Sequence, residues 1–171
     1  MSTKINSKNK GNVFENKIAK KLSSQFSSFL GLENGFRRSI DSGSFFGGTN
    51  VSRTKTYNLD HAVFGDLICP KNFKFTVECK HYKTPPTFKA IVTKNVKQWD
   101  DWLSQADQDS KSANLAPLVI VKYNNCDEIV FLSESVENLE IVFTYKDKYC
   151  YRLEDILKLP SEFFFDKEKP A

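Results

Sequence analysis

Apolar residues recur at helical spacing over residues 12–30. At 100° per residue they fall in one arc. They are Phe14, Ile18, Leu22, Phe26, Phe29 and Leu30. This pattern predicts an amphipathic helix, and Gly31 follows it at a position suited to a helix C-cap. Glu15 falls in the middle of the apolar arc, where a carboxylate is costly unless it is paired or binds a cation.

A different pattern, strict alternation, covers the second half of residues 65–82. It predicts two short strands joined by a turn. Because successive side chains of a strand point to opposite faces, Glu78 and Lys80 share one face. A turn centred near Asn72 brings Asp66 opposite Glu78 in an antiparallel register. Two carboxylates and one ammonium group then meet on a small area, which is enough to hold a divalent cation and activate a water beside it.

The remaining pattern predicts further elements in alternating order. A second helix is expected over residues 94–113, and its apolar side carries Val96, Trp99, Trp102, Leu103 and Ala106. Residues 117–123 are continuously apolar, which is typical of a buried central strand. Weaker strand signals cover residues 35–40, 128–132, 141–145 and 149–153, and a helical turn is expected at 154–159. Residues 161–165 form an apolar patch that either packs on the core or meets a second subunit. The order of elements predicts an α/β fold with a mixed central sheet flanked by helices.

Length and composition favour one globular domain. The chain has 171 residues and is 40% hydrophobic and 13% aromatic, ample for a core. We expect a flexible basic arm at residues 1–10, a domain over 11–165 and a charged tail at 166–171. The sequence has no apolar run long enough to span a membrane and no secretory h-region, so a cytoplasmic location is expected. Its four cysteines are scattered, which favours reduced thiols over a zinc site.

Charge is distributed unevenly along the chain. Residues 1–97 hold 17 Lys/Arg and 6 Asp/Glu, a balance of +11, whereas residues 98–171 hold 8 and 15, a balance of −7. A basic half indicates a polyanionic partner. Three of its six acids are Glu15, Asp66 and Glu78, the acids singled out above.

The order of these motifs resembles the PD-(D/E)XK nuclease superfamily, and within it the archaeal and phage Holliday junction resolvases. The resemblance covers about residues 8–125 and rests on four motifs. They are Lys10-Gly11-Asn12-Val13-Phe14-Glu15, Arg38 with Ser42-Gly43-Ser44, Gly65-Asp66-Leu67-Ile68, and Glu78-Cys79-Lys80. Gly65 stands where the superfamily name has proline, which leaves the acidic ligand intact.

The resemblance implies a restriction-endonuclease-like core and hydrolysis of DNA phosphodiesters. Asp66, Glu78 and the backbone carbonyl of Cys79 are expected to bind Mg²⁺ or Mn²⁺, as one or two ions, with Glu15 assisting. Lys80 is expected to orient the attacking water. The catalytic candidates are Glu15, Ser42, Asp66, Glu78, Lys80 and Gln105. Gln105 is included because a polar residue on this helix faces the site in related nucleases, although a core-edge position is an equal alternative.

The long Gly/Ser-rich loop before the hairpin carries hydroxyl groups and arginines, which are groups that grip phosphate. The DNA-binding candidates are Lys10, Arg37, Arg38, Ser44, Arg53 and Lys55. His61 and His81 are not expected to be metal ligands. Branched DNA is the expected substrate, and a homodimer is expected because a junction-resolving enzyme must cut two strands symmetrically. No membrane partner is expected.

Three alternatives stay open. The same scaffold could serve a restriction- or repair-type endonuclease acting on linear or damaged duplex. It could also be a catalytically inactive DNA-binding module. A protein-interaction domain whose basic half binds an acidic partner is the third alternative.

Overall fold

The structure is a computed structural model that describes residues 7–31, 35–39 and 64–166. The helices are α1 (Ser7–Gln25), α2 (Ser27–Leu30), α3 (Phe88–Val92), α4 (Lys97–Ala113), α5 (Leu153–Ile156) and α6 (Ser161–Phe164). The strands are β1 (Arg37–Arg38), β2 (Leu67–Ile68), β3 (Phe75–Tyr82), β4 (Ala116–Tyr123), β5 (Ile129–Leu132), β6 (Phe143–Tyr145) and β7 (Lys148–Arg152).

Five strands form a mixed sheet in the order β3-β4-β5-β7-β6. β3 and β4 are parallel, with Glu78 opposite Val119, and the other neighbours are antiparallel. A parallel pair needs a crossover connection, and α3 and α4 provide it. β1 and β2 form a separate antiparallel pair. The α/β architecture with a mixed sheet flanked by helices is therefore confirmed, and it is consistent with a restriction-endonuclease-like core.

Each face of the main sheet has its own hydrophobic core. On one face, α1 packs through Phe14 and Ile18 against Val77 of β3. On the other face, α4 packs through Trp99 and Trp102, which are buried as predicted. The alternation of β3 decides which side chains enter which layer. Val77 and Cys79 face α1, and the intervening residues face the α4 side.

Several element boundaries differ from the sequence prediction. Helix α1 begins at Ser7, so it starts inside the segment 1–10 that was expected to be an arm and five residues before the predicted helix. The apolar arc continues past Gln25, but the helix breaks at Phe26 and resumes as α2. Helix α4 begins at Lys97 and not at the predicted residue 94. A separate short helix, α3, precedes it. Residues 1–6, Ile40 and 167–171 lie outside the described residues.

The apolar patch at residues 161–165 packs on the core. Phe164 and Phe165 are 1% and 2% exposed, and Phe165 pairs as a β-bridge with Phe73. The Lys74 N–H donates to the Phe164 carbonyl (2.8 Å), and the Asp166 N–H donates to the Asn72 carbonyl (2.9 Å). Residues 161–166, here called the C-terminal clamp, thereby hold the turn between β2 and β3.

None of the described helices combines the length and apolar character required to cross a membrane.

Candidate active site

Gly65 brings the chain unusually close to β3. Its φ is +78°, in the left-handed region that favours glycine, and a Cβ atom there would lie 2.7 Å from the Val77 carbonyl oxygen. The next residue, Asp66, donates its backbone N–H to that same carbonyl (2.8 Å). The approach explains why glycine precedes the acidic residue. It also corrects the predicted hairpin, since β2 pairs with β1 and the link to β3 is made through Asp66.

Asp66, Glu78 and Lys80 come together at the outer edge of β3. The Cys79 N–H donates to Oδ2 of Asp66 (2.8 Å). The Lys80 Nζ lies 2.8 Å from Oε2 of Glu78 and 4.0 Å from Oδ2 of Asp66. The Glu78 side chain is 3% exposed, whereas that of Asp66 is 28% exposed. Glu78 is therefore the buried carboxylate of the group, and Asp66 is the accessible one.

Glu78 is electrostatically strained in this position. Burial, and after it the negative charge of Asp66, raise the pKa of Glu78 to about 7, although Lys80 acts in the opposite direction. The Oε2 atom is buried and receives no well-directed hydrogen bond from the described residues, even though the Lys80 ammonium is 2.8 Å away. A buried carboxylate oxygen left in this state can accept a cation.

Lys80 remains a cation in this environment. Burial alone would lower the pKa of its ammonium group, but the nearby negative charges of Glu78 and Asp66 hold the pKa above its usual value. The ammonium therefore stays protonated at neutral pH and partly compensates the two acids.

Glu15 does not join this group. Its Oε2 accepts a hydrogen bond from Nε of Arg38 (2.6 Å), and both side chains are less than one-fifth exposed. The ion pair explains how a carboxylate is tolerated beside the apolar arc of α1. Glu15 still lies near the site, because its charge is among those that raise the pKa of the buried Cys79 thiol, after burial itself and Asp66.

The other predicted site residues are dispersed. Lys10 donates to Oδ1 of Asn124 (2.7 Å), Arg37 is exposed on β1, and Gln105 is exposed on α4. Four further candidates lie outside the described residues, as does His61. They are Ser42, Ser44, Arg53 and Lys55.

Two features of the site were not predicted from the sequence. The first is the pairing of Glu15 with Arg38, both of which belong to motifs that were noted separately. The second is Asn124, whose Oδ1 also lies 3.3 Å from Nε2 of His81. The Asn-Asn dipeptide after β4 is a turn signal, but nothing in it indicates these partners.

A divalent cation fits part of the predicted ligand set. Within the described ranges, no group of three or more His, Cys, Asp or Glu side chains could hold a metal ion. Mg²⁺, however, is commonly held by one or two carboxylates together with waters and substrate phosphate oxygens. The pair of Asp66 and Glu78, with its unsatisfied Oε2, meets that requirement.

Comparison with known proteins gives a family. A protein-family model described as "Phage putative PDDEXK endonuclease" matches residues 6–158. Neither the curated proteins nor the solved structures gave a significant match. The match spans α1, the Gly65–Lys80 segment and the whole main sheet, so the chain belongs to this phage PDDEXK endonuclease family, within the PD-(D/E)XK nuclease superfamily.

Proposed function

We propose that the protein is a metal-dependent, structure-specific endonuclease that hydrolyses phosphodiesters in branched DNA, in the manner of a Holliday junction resolvase. The observation that carries the proposal is the Asp66–Lys80–Glu78 group, in which a half-buried ammonium lies between two carboxylates. A purely structural ion site would need the carboxylates alone. The added lysine favours phosphate chemistry.

Asp66 and Glu78 would hold Mg²⁺ or Mn²⁺. Cys79 is a third candidate through its carbonyl, because the N–H and C=O of one strand residue point to the same edge and its N–H meets Asp66. Glu15 is the candidate for a second ion. When bound, the metal stabilises negative charge that develops on the phosphoryl oxygens and on the leaving group.

The protein side chains supply orientation and proton handling. Lys80 Nζ, a protonated donor, orients the attacking water or a phosphoryl oxygen through its hydrogens. Glu78 must be ionised to pair with Lys80 and with a cation. Cation binding at the site therefore depends on Glu78 having lost its proton. Asp66, the most exposed member of the group, is the side chain that meets incoming substrate first.

The preference for branched DNA rests on less direct support. The excess of basic over acidic residues in residues 1–97 suits contact with the phosphate backbone of DNA. No motif that reads base sequence is visible, which agrees with recognition of DNA shape over bases. Symmetric cutting of a junction requires two sites, so we infer a homodimer. Roles in recombination and repair follow from that substrate.

The test is a cleavage panel of four-way junction, flap, mismatched and linear duplex DNA, with Mg²⁺, with Mn²⁺ and with chelator. The junction should be cut by the wild-type protein in either metal. Asp66→Asn and Glu78→Gln should lose at least about 100-fold in rate while binding DNA nearly normally. Lys80→Met should lower turnover more than metal affinity.

Asp101→Asn is the matched control, because Asp101 is an exposed acid of α4 paired only with the neighbouring-turn Lys97 in the described structure. Its cleavage should match the wild type. Full cleavage by both acid variants would remove the site assignment. Cutting of linear duplex in preference to the junction, by a strict monomer, would instead support a restriction- or repair-type enzyme. DNA binding without cleavage at any metal concentration would indicate an inactive module.

A further inference from the structure

Helix α3 places two apolar side chains in solvent just after the strand that carries Glu78 and Lys80. Phe88 is 82% exposed and Val92 is 58% exposed. Positions i and i+4 share one face of a helix, so these side chains form one continuous ridge, here called the α3 ridge. Within the part of the chain that the structure describes, neither side chain is buried in a core.

The ridge is held rigidly from behind. Ala90 and Ile91 pack against the core that contains Trp99. The Ala90 N–H is capped by Oγ1 of Thr87 (3.2 Å), and the Asn95 N–H donates to the Ala90 carbonyl (2.9 Å). The backbone of α3 is thus anchored while the ridge points outward.

The surroundings of the ridge are cationic. Residues 83–97 contain four lysines and no acid. Lys94 donates to the Thr144 carbonyl and Lys97 pairs with Asp101, whereas Lys83 and Lys89 are exposed on the same segment as the ridge. An aromatic surface among lysines is complementary to a nucleic acid, because the lysines suit phosphates and the ring suits the face of a base.

We propose that the α3 ridge stacks against an unpaired or unstacked base of the DNA substrate, with Phe88 as the stacking side chain. The inference rests on the proposed function and names its substrate class: DNA whose stacking is already interrupted. Phe88 lies eight residues after Lys80, so the Cα atoms of the two residues are at most about 29 Å apart.

The experiment measures binding of the full chain in EDTA to two 30-base-pair duplexes. One is perfectly paired, and the other carries a two-base bulge with 2-aminopurine at an unpaired position. The wild-type protein should bind the bulged DNA about tenfold more tightly and quench its fluorescence. Phe88→Ala should lose the preference and the quenching, with unchanged affinity for the paired duplex. Phe88→Trp should keep both.

Val13→Ala is the matched control, since Val13 is 69% exposed on α1, outside the ridge, and it should behave as wild type. An unchanged preference in Phe88→Ala would overturn the proposal, as would an equal loss on both duplexes. A loss of self-association without a change in DNA preference would overturn it and identify the ridge as a contact with a second copy. The binding experiment contains EDTA and no metal, so its result can be interpreted even if the cleavage panel detects no activity. Lost discrimination in Phe88→Ala would then support the ridge in a non-cleaving DNA-binding protein.

Discussion

At the scale of single residues, the position of Glu78 is unfavourable for its negative charge. Its carboxyl has a pKa of about 7 in the folded chain, above the ordinary value of 4.5. The folded state therefore binds more protons than the unfolded state between these values, so its stability falls as the pH rises from 4.5 to 7. Ionised Glu78 is expected to cost up to about 3 kcal/mol above pH 7.

We therefore predict that Glu78→Gln raises the melting temperature relative to wild type at pH 8 but changes it little at pH 5. The amide is neutral at both pH values, whereas the wild-type carboxyl is protonated only at the lower one. Thermal denaturation of both proteins at the two pH values measures the difference.

Glu140→Gln serves as the control for removing an acid, because Glu140 is exposed. Adding Mg²⁺ at pH 8 should stabilise the wild type and leave Glu78→Gln unchanged. A melting-temperature difference that is the same at pH 5 and pH 8 would contradict the pKa assigned to Glu78.

The juxtaposition of Asp66, Glu78 and Lys80 was predictable, because alternation along β3 puts Glu78 and Lys80 on one face and Asp66 precedes them closely in the sequence. The partner of Glu15 was not. Arg38 is 23 residues away along the chain, and their contact depends on how α1 packs beside β1. Sequence periodicity correctly indicated that Glu15 needs a partner, but it could not choose between a metal ion and a guanidinium group.

At the scale of elements, the segment entering β2 depends on the absence of a side chain at Gly65. We predict that Gly65→Ala destabilises the fold by at least about 1 kcal/mol more than Gly31→Ala, as measured by urea denaturation. Both glycines have positive φ values, +78° and +75°, which a residue with a side chain rarely adopts. Only at Gly65 would the new Cβ meet the Val77 carbonyl, since nothing lies within 4 Å of a Cβ at Gly31.

The same substitution should weaken metal binding, because Asp66 must move with its neighbour. Isothermal titration with Mn²⁺ should detect this loss in Gly65→Ala and not in Gly31→Ala. Equal stability and equal metal affinity in the two variants would show that the close approach to β3 is not needed.

Element types were easier to predict than element limits. The apolar arcs of α1 and α4 and the alternation of β3 each report on one buried face, and burial decides these elements. Helix α3 was not predicted, because its exposed Phe88 and Val92 do not mark a buried face. β2 was paired with the wrong neighbour because the strand signal over residues 35–40, which contains β1, does not indicate which strand it pairs with.

At the scale of the whole molecule, one acid ties α1 to the main sheet. Glu128, just before β5, accepts hydrogen bonds from Lys17 (2.6 Å) and Lys21 (2.9 Å). Burial alone would raise the pKa of Glu128, but these two lysines lower it to about 2. Because the pKa is lowered in the folded state, the ionised carboxyl stabilises the fold at pH values above its ordinary pKa of 4.5. That stability is lost as the pH falls towards 2.

We predict that Glu128→Gln lowers the stability of the fold at pH 7 by about 1 kcal/mol, after allowance for solvent screening of the exposed lysines. The deficit should shrink as the pH is lowered towards 2, because the wild-type carboxyl then becomes protonated as well. Chemical denaturation across this range measures it. Glu137→Gln, at an exposed position, should match wild type throughout, and a pH-independent deficit in Glu128→Gln would argue against the ion pairs.

The C-terminal clamp has a consequence for how the molecule is made. The turn between β2 and β3 is held by backbone hydrogen bonds with residues 164 and 166, which a ribosome adds long after Glu78. At roughly 5–20 residues per second, about 4–18 s separate the emergence of Glu78 from that of Asp166. A nascent chain thus carries Asp66 and Glu78 before the clamp exists to hold the turn beside them, so the geometry of the proposed site is completed only after Asp166 has been synthesised.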